Sequence, residues 1–212
     1  MKNKHLIINI GRQVGSGGRI IADLLAKEFE CTLYDKGILN LAAKESGFCE
    51  KFFEQNDEQK GFMRALFHSH VPILGESNFY RNNISQESLF QFQSDAIRKA
   101  AEQGSCVFVG RCADYVLRDR ENTVNVFITA DMDERVQRVC DRKNITKGEA
   151  RKLIEYKESE RASYYNYYTG KKWGHSTCYD LCVNSSLLGI DATVELIAHY
   201  IRKRFNLSET AE

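Results

Sequence analysis

The chain has 212 residues, is 42% hydrophobic and carries a formal net charge of +1 from 30 basic and 29 acidic side chains. That is ample apolar material for one globular domain. The balanced surface excludes a dedicated nucleic-acid or polybasic membrane binder and leaves only local basic clusters for small anions. The 7 cysteines are odd in number and irregular in spacing, with no CxxC pairs, so neither a disulfide framework nor a structural zinc site is expected. The first apolar run covers only residues 6–10, too short for a signal peptide or a membrane span. The expectation is a cytoplasmic protein with reduced thiols, no nucleic-acid partner and no membrane partner.

Residues 5–10 form a β-branched apolar run that reads as a buried parallel strand. A glycine-rich turn follows over 11–18, and then Ile20, Ile21, Leu24, Leu25 and Phe29 recur at helical spacing. Residues 31–34 are a second short strand ending at Asp35. From 36 to 104 the chain reads as mostly helical and polar, with an amphipathic helix over 86–103. Residues 106–109 and 124–128 are two more strands. A helix is expected over about 131–141, a long charged helix over 145–165, a strand over 180–184 and an amphipathic helix over 191–205. Strands alternating with helices predict a parallel sheet covered on both faces, with ligands at the carboxyl ends of the strands. Gly11, Asp35, Gly110, Arg111, Thr129 and Asn184 all stand at such ends and are expected to gather along one edge.

The turn Gly11-Arg12-Gln13-Val14-Gly15-Ser16-Gly17-Gly18-Arg19 can aim successive backbone N–H groups at phosphate oxygens, helped by the positive end of the following helix. It matches neither G-x-G-x-x-G nor the full G-x-x-x-x-G-K-[ST]. With Gly17 as the second glycine of the latter, Arg12 takes the place of the first, Gly18 that of the lysine and Arg19 that of the hydroxyl. A ligand-free structural turn is the competing reading. Elsewhere each candidate has its ordinary alternative: a helix cap for Asp35, a structural ion pair for Arg111, a solvated face for Arg135, Arg138 and Arg142, and surface pairing for Lys157, Glu158, Glu160 and Arg161. The aromatic cluster of Tyr164, Tyr165, Tyr167, Tyr168 and Trp173 reads as a core edge or a homodimer contact.

Taken in order, Arg12 to Arg19, Tyr34-Asp35-Lys36, Val109-Gly110-Arg111, Phe127 to Ala130 with Arg135 and Arg138, then Arg161 and Tyr179-Asp180-Leu181 resemble the cytidylate kinase-like family, related to bacterial cytidylate kinases. The resemblance implies a three-layer P-loop NTPase-type α/β fold of about five parallel strands. It implies a single domain over 1–212, with a helical acceptor-side insertion over 36–104 and a lid-like region over 142–177. It implies a phosphotransferase using ATP and Mg²⁺ on a nucleoside monophosphate or similar small acceptor. Gly15, Ser16, Gly17 and Gly18 match the phosphate loop, flanked by Arg12 and Arg19 as replacements for the absent lysine's charge. Asp35 matches an aspartate near phosphates and metal, Arg111 an arginine that grips the acceptor, and Arg161 the lid arginine. Arg135 and Arg138 match a basic acceptor-side helix. Thr129 stands where true cytidylate kinases carry an acceptor-holding aspartate, which departs from a CMP site. Loss of the lysine and of that aspartate leaves a binding module without chemistry as the alternative.

Overall fold

The computed structural model describes residues 5–35 and 86–207. The backbone divides into a main unit, Met1–Asp35 with Ile97–Glu212, and a second unit, Lys36–Ala96. Of the second unit only the stretch 86–96, the first part of one helix, lies within the described residues; the rest of the expected 36–104 insertion up to residue 85 lies outside them.

The elements follow the sequence reading closely. Strand β1 (Ile7–Arg12) runs into helix α1 (Gly18–Glu28) and strand β2 (Thr32–Tyr34). Helix α2 (Gln86–Gln103) leads to strand β3 (Cys106–Val109) and a single-turn helix α3 (Ala113–Val116) that the periodicity did not reveal. Strand β4 (Thr123–Thr129) is followed by helices α4 (Met132–Lys143) and α5 (Lys147–Thr169). Strand β5 (Leu181–Asn184) and helix α6 (Ser185–Phe205) close the chain. Helix α6 starts six residues earlier than its amphipathic pattern suggests, because Gly189, at φ 76° and ψ 178°, kinks it. Only glycine occupies that backbone region at little cost.

The five strands are all parallel in the order β2-β3-β1-β4-β5, so β1 with its glycine loop lies at the centre. This is the three-layer P-loop NTPase-type arrangement. The central strands read as continuous apolar runs because both of their faces are covered. Ile8, Ile10, Val107, Val109, Val124, Val126 and Ile128 pack with Ile21 and Leu25 of α1 and Ile197 and Ile201 of α6, all at most 1% exposed. Each such side chain contributes about 1.5–3 kcal/mol when buried. A second cluster joins Val14 of the loop to Val136 and Val139 of α4 and Ala150 and Ile154 of α5. Helix α5 begins with a full capping box, Thr146 with Glu149, and ends at Gly170 in the left-handed region. That punctuation specifies the extent of a helix whose own sequence is weakly amphipathic.

Among the described residues no helix is long and apolar enough to cross a membrane. The cysteines among them, Cys31, Cys106, Cys112, Cys140, Cys178 and Cys182, form no disulfide. Burial pushes Cys106 and Cys112 up to about 12, so these thiols are inert at neutral pH. Cys182, on the edge strand β5, is exposed.

Candidate functional site

Because every strand runs the same way, the ends of β1, β2, β3, β4 and β5 come to one edge, as the placement of Gly11, Asp35, Gly110, Arg111, Thr129 and Asn184 anticipates. The loop over 12–18 is held open by glycines where the backbone demands them. Gly15 has φ 83° and Gly17 φ 75°, and a Cβ on Gly15 would stand 2.7 Å from the Arg135 carbonyl oxygen. Ser16 is fully buried and its hydroxyl turns inward, donating to the Gln13 carbonyl at 3.0 Å. Its own carbonyl accepts from the Ser185 hydroxyl at 2.7 Å. Its N–H also points to the Gln13 carbonyl, at 3.4 Å, so the hydroxyl, N–H and carbonyl of Ser16 are all engaged within the protein. Gln13 ties the loop to β4: its N–H donates to the Ile128 carbonyl and its side-chain oxygen accepts from the Ala130 N–H at 3.2 Å. Among the described residues no acceptor faces the N–H groups of Gly15 and Gly17. Open donors beside the start of a helix are the kind of groups that suit an anion.

Four guanidiniums stand in front of this loop. Arg12 leaves the end of β1, Arg19 the first turn of α1, Arg111 the turn after β3, and Arg161 the middle of α5. Asp35, at the end of β2, is ion-paired with Arg19 Nε at 3.1 Å and with Arg12 Nη2 at 3.8 Å. Arg161 donates from Nη1 to the carbonyl of Arg12 at 3.0 Å. Burial first, and the positive charges of Arg161, Arg111 and Arg19 after it, push Arg12 down to about 9 despite Asp35. Arg161 is also lowered, chiefly by burial. These cations are held together at an electrostatic cost. Arg111 stands in the left-handed region at φ 62°, between Gly110 at φ 74° and Cys112 at φ 57°. For a non-glycine residue that conformation costs about 1–2 kcal/mol, an expense typical of functional turns.

A different set of charges lies behind the loop. Arg135 is 3% exposed; its Nε donates to the Val14 carbonyl at 2.9 Å, and Nη2 bonds Glu158 Oε1. Glu158 also accepts from the Val14 N–H at 2.9 Å. Both polar groups of one loop residue are thus engaged by a buried ion pair linking α4 to α5. Arg138 reaches the Gly15 carbonyl at 3.3 Å and pairs with Glu134 one turn back. Arg135 and Arg138, expected on the acceptor side, both hold loop carbonyls from α4. Thr129 spends its hydroxyl on the Val183 carbonyl at 3.2 Å, bridging β4 to β5. Lys157 and Glu160 form a surface pair, as read from sequence, whereas their neighbours Glu158 and Arg161 point to the loop.

One further contact orients the front cluster. Tyr165 donates to Asp114 Oδ2 at 2.6 Å in a buried setting. Asp114 follows Arg111 by three residues and Tyr165 follows Arg161 by one helical turn, so this bond ties together the elements that carry the two arginines. Burial raises the Asp114 carboxyl, the Tyr165 hydroxyl opposing it. Tyr165, Tyr179, Phe127 and Trp173 form a packed aromatic edge, with Trp173 at 5.2 Å and edge-on to Phe127. The aromatic cluster is thus core edge at Tyr165 and Trp173, while Tyr167 is 70% exposed. Asp114 and Ser185 are not singled out by the sequence, and Glu158 and Tyr165 read there only as surface pairing and core edge. The i, i+4 repeat of Asp114-adjacent or Glu158-adjacent residues carries no signal for them, since every partner is more than 20 positions away.

The model of the cytidylate kinase-like family matches residues 7–187. Among solved structures, an uncharacterized protein from Eubacterium ventriosum ATCC 27560 is 28% identical with TM-score 0.71, covering 94% of this chain and 100% of its own. Two more distant likenesses bear on the fold alone. Shikimate kinase from Bacteroides thetaiotaomicron is 13% identical with TM-score 0.50, covering 95% of this chain and 99% of its own. A gluconokinase from Sinorhizobium meliloti 1021 is 9% identical with TM-score 0.53, covering 98% of this chain and 100% of its own. No curated protein matches the chain.

Proposed function

The chain belongs to the cytidylate kinase-like family, and from that premise we propose that it is an ATP-dependent phosphotransferase acting on a nucleoside monophosphate or a similar small phosphorylated acceptor. The observation that carries this reading is the crowding of Arg161, Arg111 and Arg19 about Arg12, with Asp35 paired to Arg12 and Arg19, at the mouth of a loop with unsatisfied N–H groups.

Phosphoryl transfer asks a protein chiefly for positioning and charge neutralisation. In this reading the loop N–H groups and the start of α1 cradle the donor phosphates. Arg111 holds the acceptor phosphate from the turn after β3. An acceptor oxygen attacks the terminal phosphorus, the bond from that phosphorus to the bridging oxygen breaks, and the electron pair leaves with the nucleoside diphosphate. Arg161 neutralises charge that builds on the transferring group. No covalent enzyme intermediate forms.

Mg²⁺, which the resemblance implies, finds no prepared host among the described residues. Asp35 is already engaged by two guanidiniums, and Arg19 stands where the motif's metal-binding hydroxyl belongs. No group of three His, Cys, Asp or Glu able to hold a metal occurs among the described residues.

A second reading, nucleotide or anion binding without transfer, is favoured by the absent lysine at Gly18 and by Thr129 in place of an acceptor-holding aspartate. Titration calorimetry with ATP and then with each nucleoside monophosphate, on wild type and Arg111→Ala, separates the two together with a turnover screen. Binding of both ligands, loss of the acceptor in the variant and diphosphate formation support the kinase. Donor binding without turnover on any acceptor supports the binding module.

A further inference from the structure

Two departures from the phosphate-loop motif are one exchange. In G-x-x-x-x-G-K-[ST] the first place is glycine and the seventh is lysine; this chain has Arg12 and Gly18 there. The structure puts the two in contact. A Cβ on Gly18 would stand 2.6 Å from the Arg12 Cβ and 3.1 Å from its Cγ. The stem of Arg12 thus fills the space in which a lysine side chain at 18 would begin. The far end of the same side chain lies against a second glycine: a Cβ on Gly110 would meet Arg12 Nη1. Gly18 on one side and Gly110 on the other therefore leave a channel in which Arg12 lies extended. Its guanidinium emerges between the glycine loop and the turn that bears Arg111, beside Asp35 and under Arg161.

We propose that Arg12 is the phosphate-binding cation of this loop, having exchanged places with the glycine of the motif so that Gly18 stands where the lysine would be. The proposal deepens the nucleotide reading above and rests on it. Arg19, the other candidate for the missing charge, is 75% exposed and turned to Asp35, whereas the Arg12 side chain is 20% exposed and confined by packing. A confined guanidinium loses little freedom on binding and offers a planar fork that can span two oxygens, unlike the point charge of an ammonium.

The exchange makes an unusual prediction: restoring the consensus lysine alone harms the site. The experiment is calorimetric titration with ATP, paired with melting temperatures, on wild type, Arg12→Gly, Gly18→Lys and the double variant. Arg12→Gly should weaken ATP binding about 10- to 100-fold, the range of charge-assisted hydrogen bonds. Gly18→Lys should lose affinity and melt lower, because Cβ has no room. The double variant should recover both affinity and melting temperature relative to Gly18→Lys. Wild-type affinity in Arg12→Gly overturns the proposal, as does a double variant no better than the weaker single. Absence of ATP binding by wild type overturns the donor reading and the phosphate role with it. The exchange as a matter of packing is then kept by recovery of the double variant's melting temperature and lost without it.

Discussion

The two sides of the glycine loop use the same residue type to opposite ends. Behind the loop, Arg135 is buried but fully engaged by Glu158 and by the Val14 carbonyl. In front of it, Arg12 and Arg19 pair with Asp35, and Arg161 and Arg111 crowd Arg12. A buried cation matched by its own acid is structure; cations crowded on one another suit an anion. What separates the two sides is that crowding: burial and neighbouring cations lower Arg12, whereas Arg135 has Glu158 against it.

The largest effect should come from making the back resemble the front. Glu158→Ala leaves Arg135 buried without a counter-charge and frees the Val14 N–H. A loss of about 3–5 kcal/mol is expected, read from urea or guanidinium unfolding; an unchanged midpoint would show that Arg135 finds other solvation. Next is the front taken alone. Arg161→Ala should cut turnover by about 10²–10³-fold while changing the unfolding midpoint far less than Glu158→Ala. Equal damage to both quantities would erase the distinction between the two sides.

A bound anion should sharpen it. Pyrophosphate at 100 times its Kd should stabilise the wild type by about 2.7 kcal/mol, seen as a raised melting temperature that fades with added salt. Arg12→Ala should lose most of that increment. An increment untouched in Arg12→Ala would put the anion elsewhere.

The smallest effect concerns Asp114, a buried acid held by a tyrosine hydroxyl. Its carboxyl is raised by burial. The folded value thus lies above the unfolded one, so its contribution is fully present below the unfolded value and is lost as pH rises through the folded one. Asp114→Asn keeps an acceptor for Tyr165 and removes the charge. The variant should match or exceed wild type at neutral pH and show a flatter pH dependence. Tyr165→Phe should cost about 1–3 kcal/mol by leaving the carboxyl without its donor. Unfolding midpoints between acid and neutral pH, in parallel for both variants, check the sign.

Much of the fold was legible in the chain itself. All five described strands and the long helices lie within a few residues of their expected places, and α2 has the bounds its pattern suggests. Helix α3 escaped because four residues hold barely one turn of periodicity. The start of α6 escaped because Gly189 interrupts its pattern. The site was legible in part. Arg12 and Asp35 meet at the strand ends, and Arg161, whose local spacing reads as surface pairing, joins Arg12 as the resemblance implied. Arg135 read as one of a basic helix face, yet its burial depends on Glu158, 23 residues away. Glu158 read as surface pairing because local charge spacing describes only the side of a helix that faces its own neighbours.

The sequence by itself determined the order of strands, loops and helices, since glycine runs, caps and hydrophobic spacing act between near neighbours in the chain. Tertiary structure alone decided which charges meet one another. Those outcomes depend on contacts such as Val14 with Glu158, 144 positions apart, and Arg12 with Arg161, 149 apart. The packing of Arg12 between Gly18 and Gly110 is of the same kind, because a side chain's room is set by whichever backbones the sheet brings alongside it.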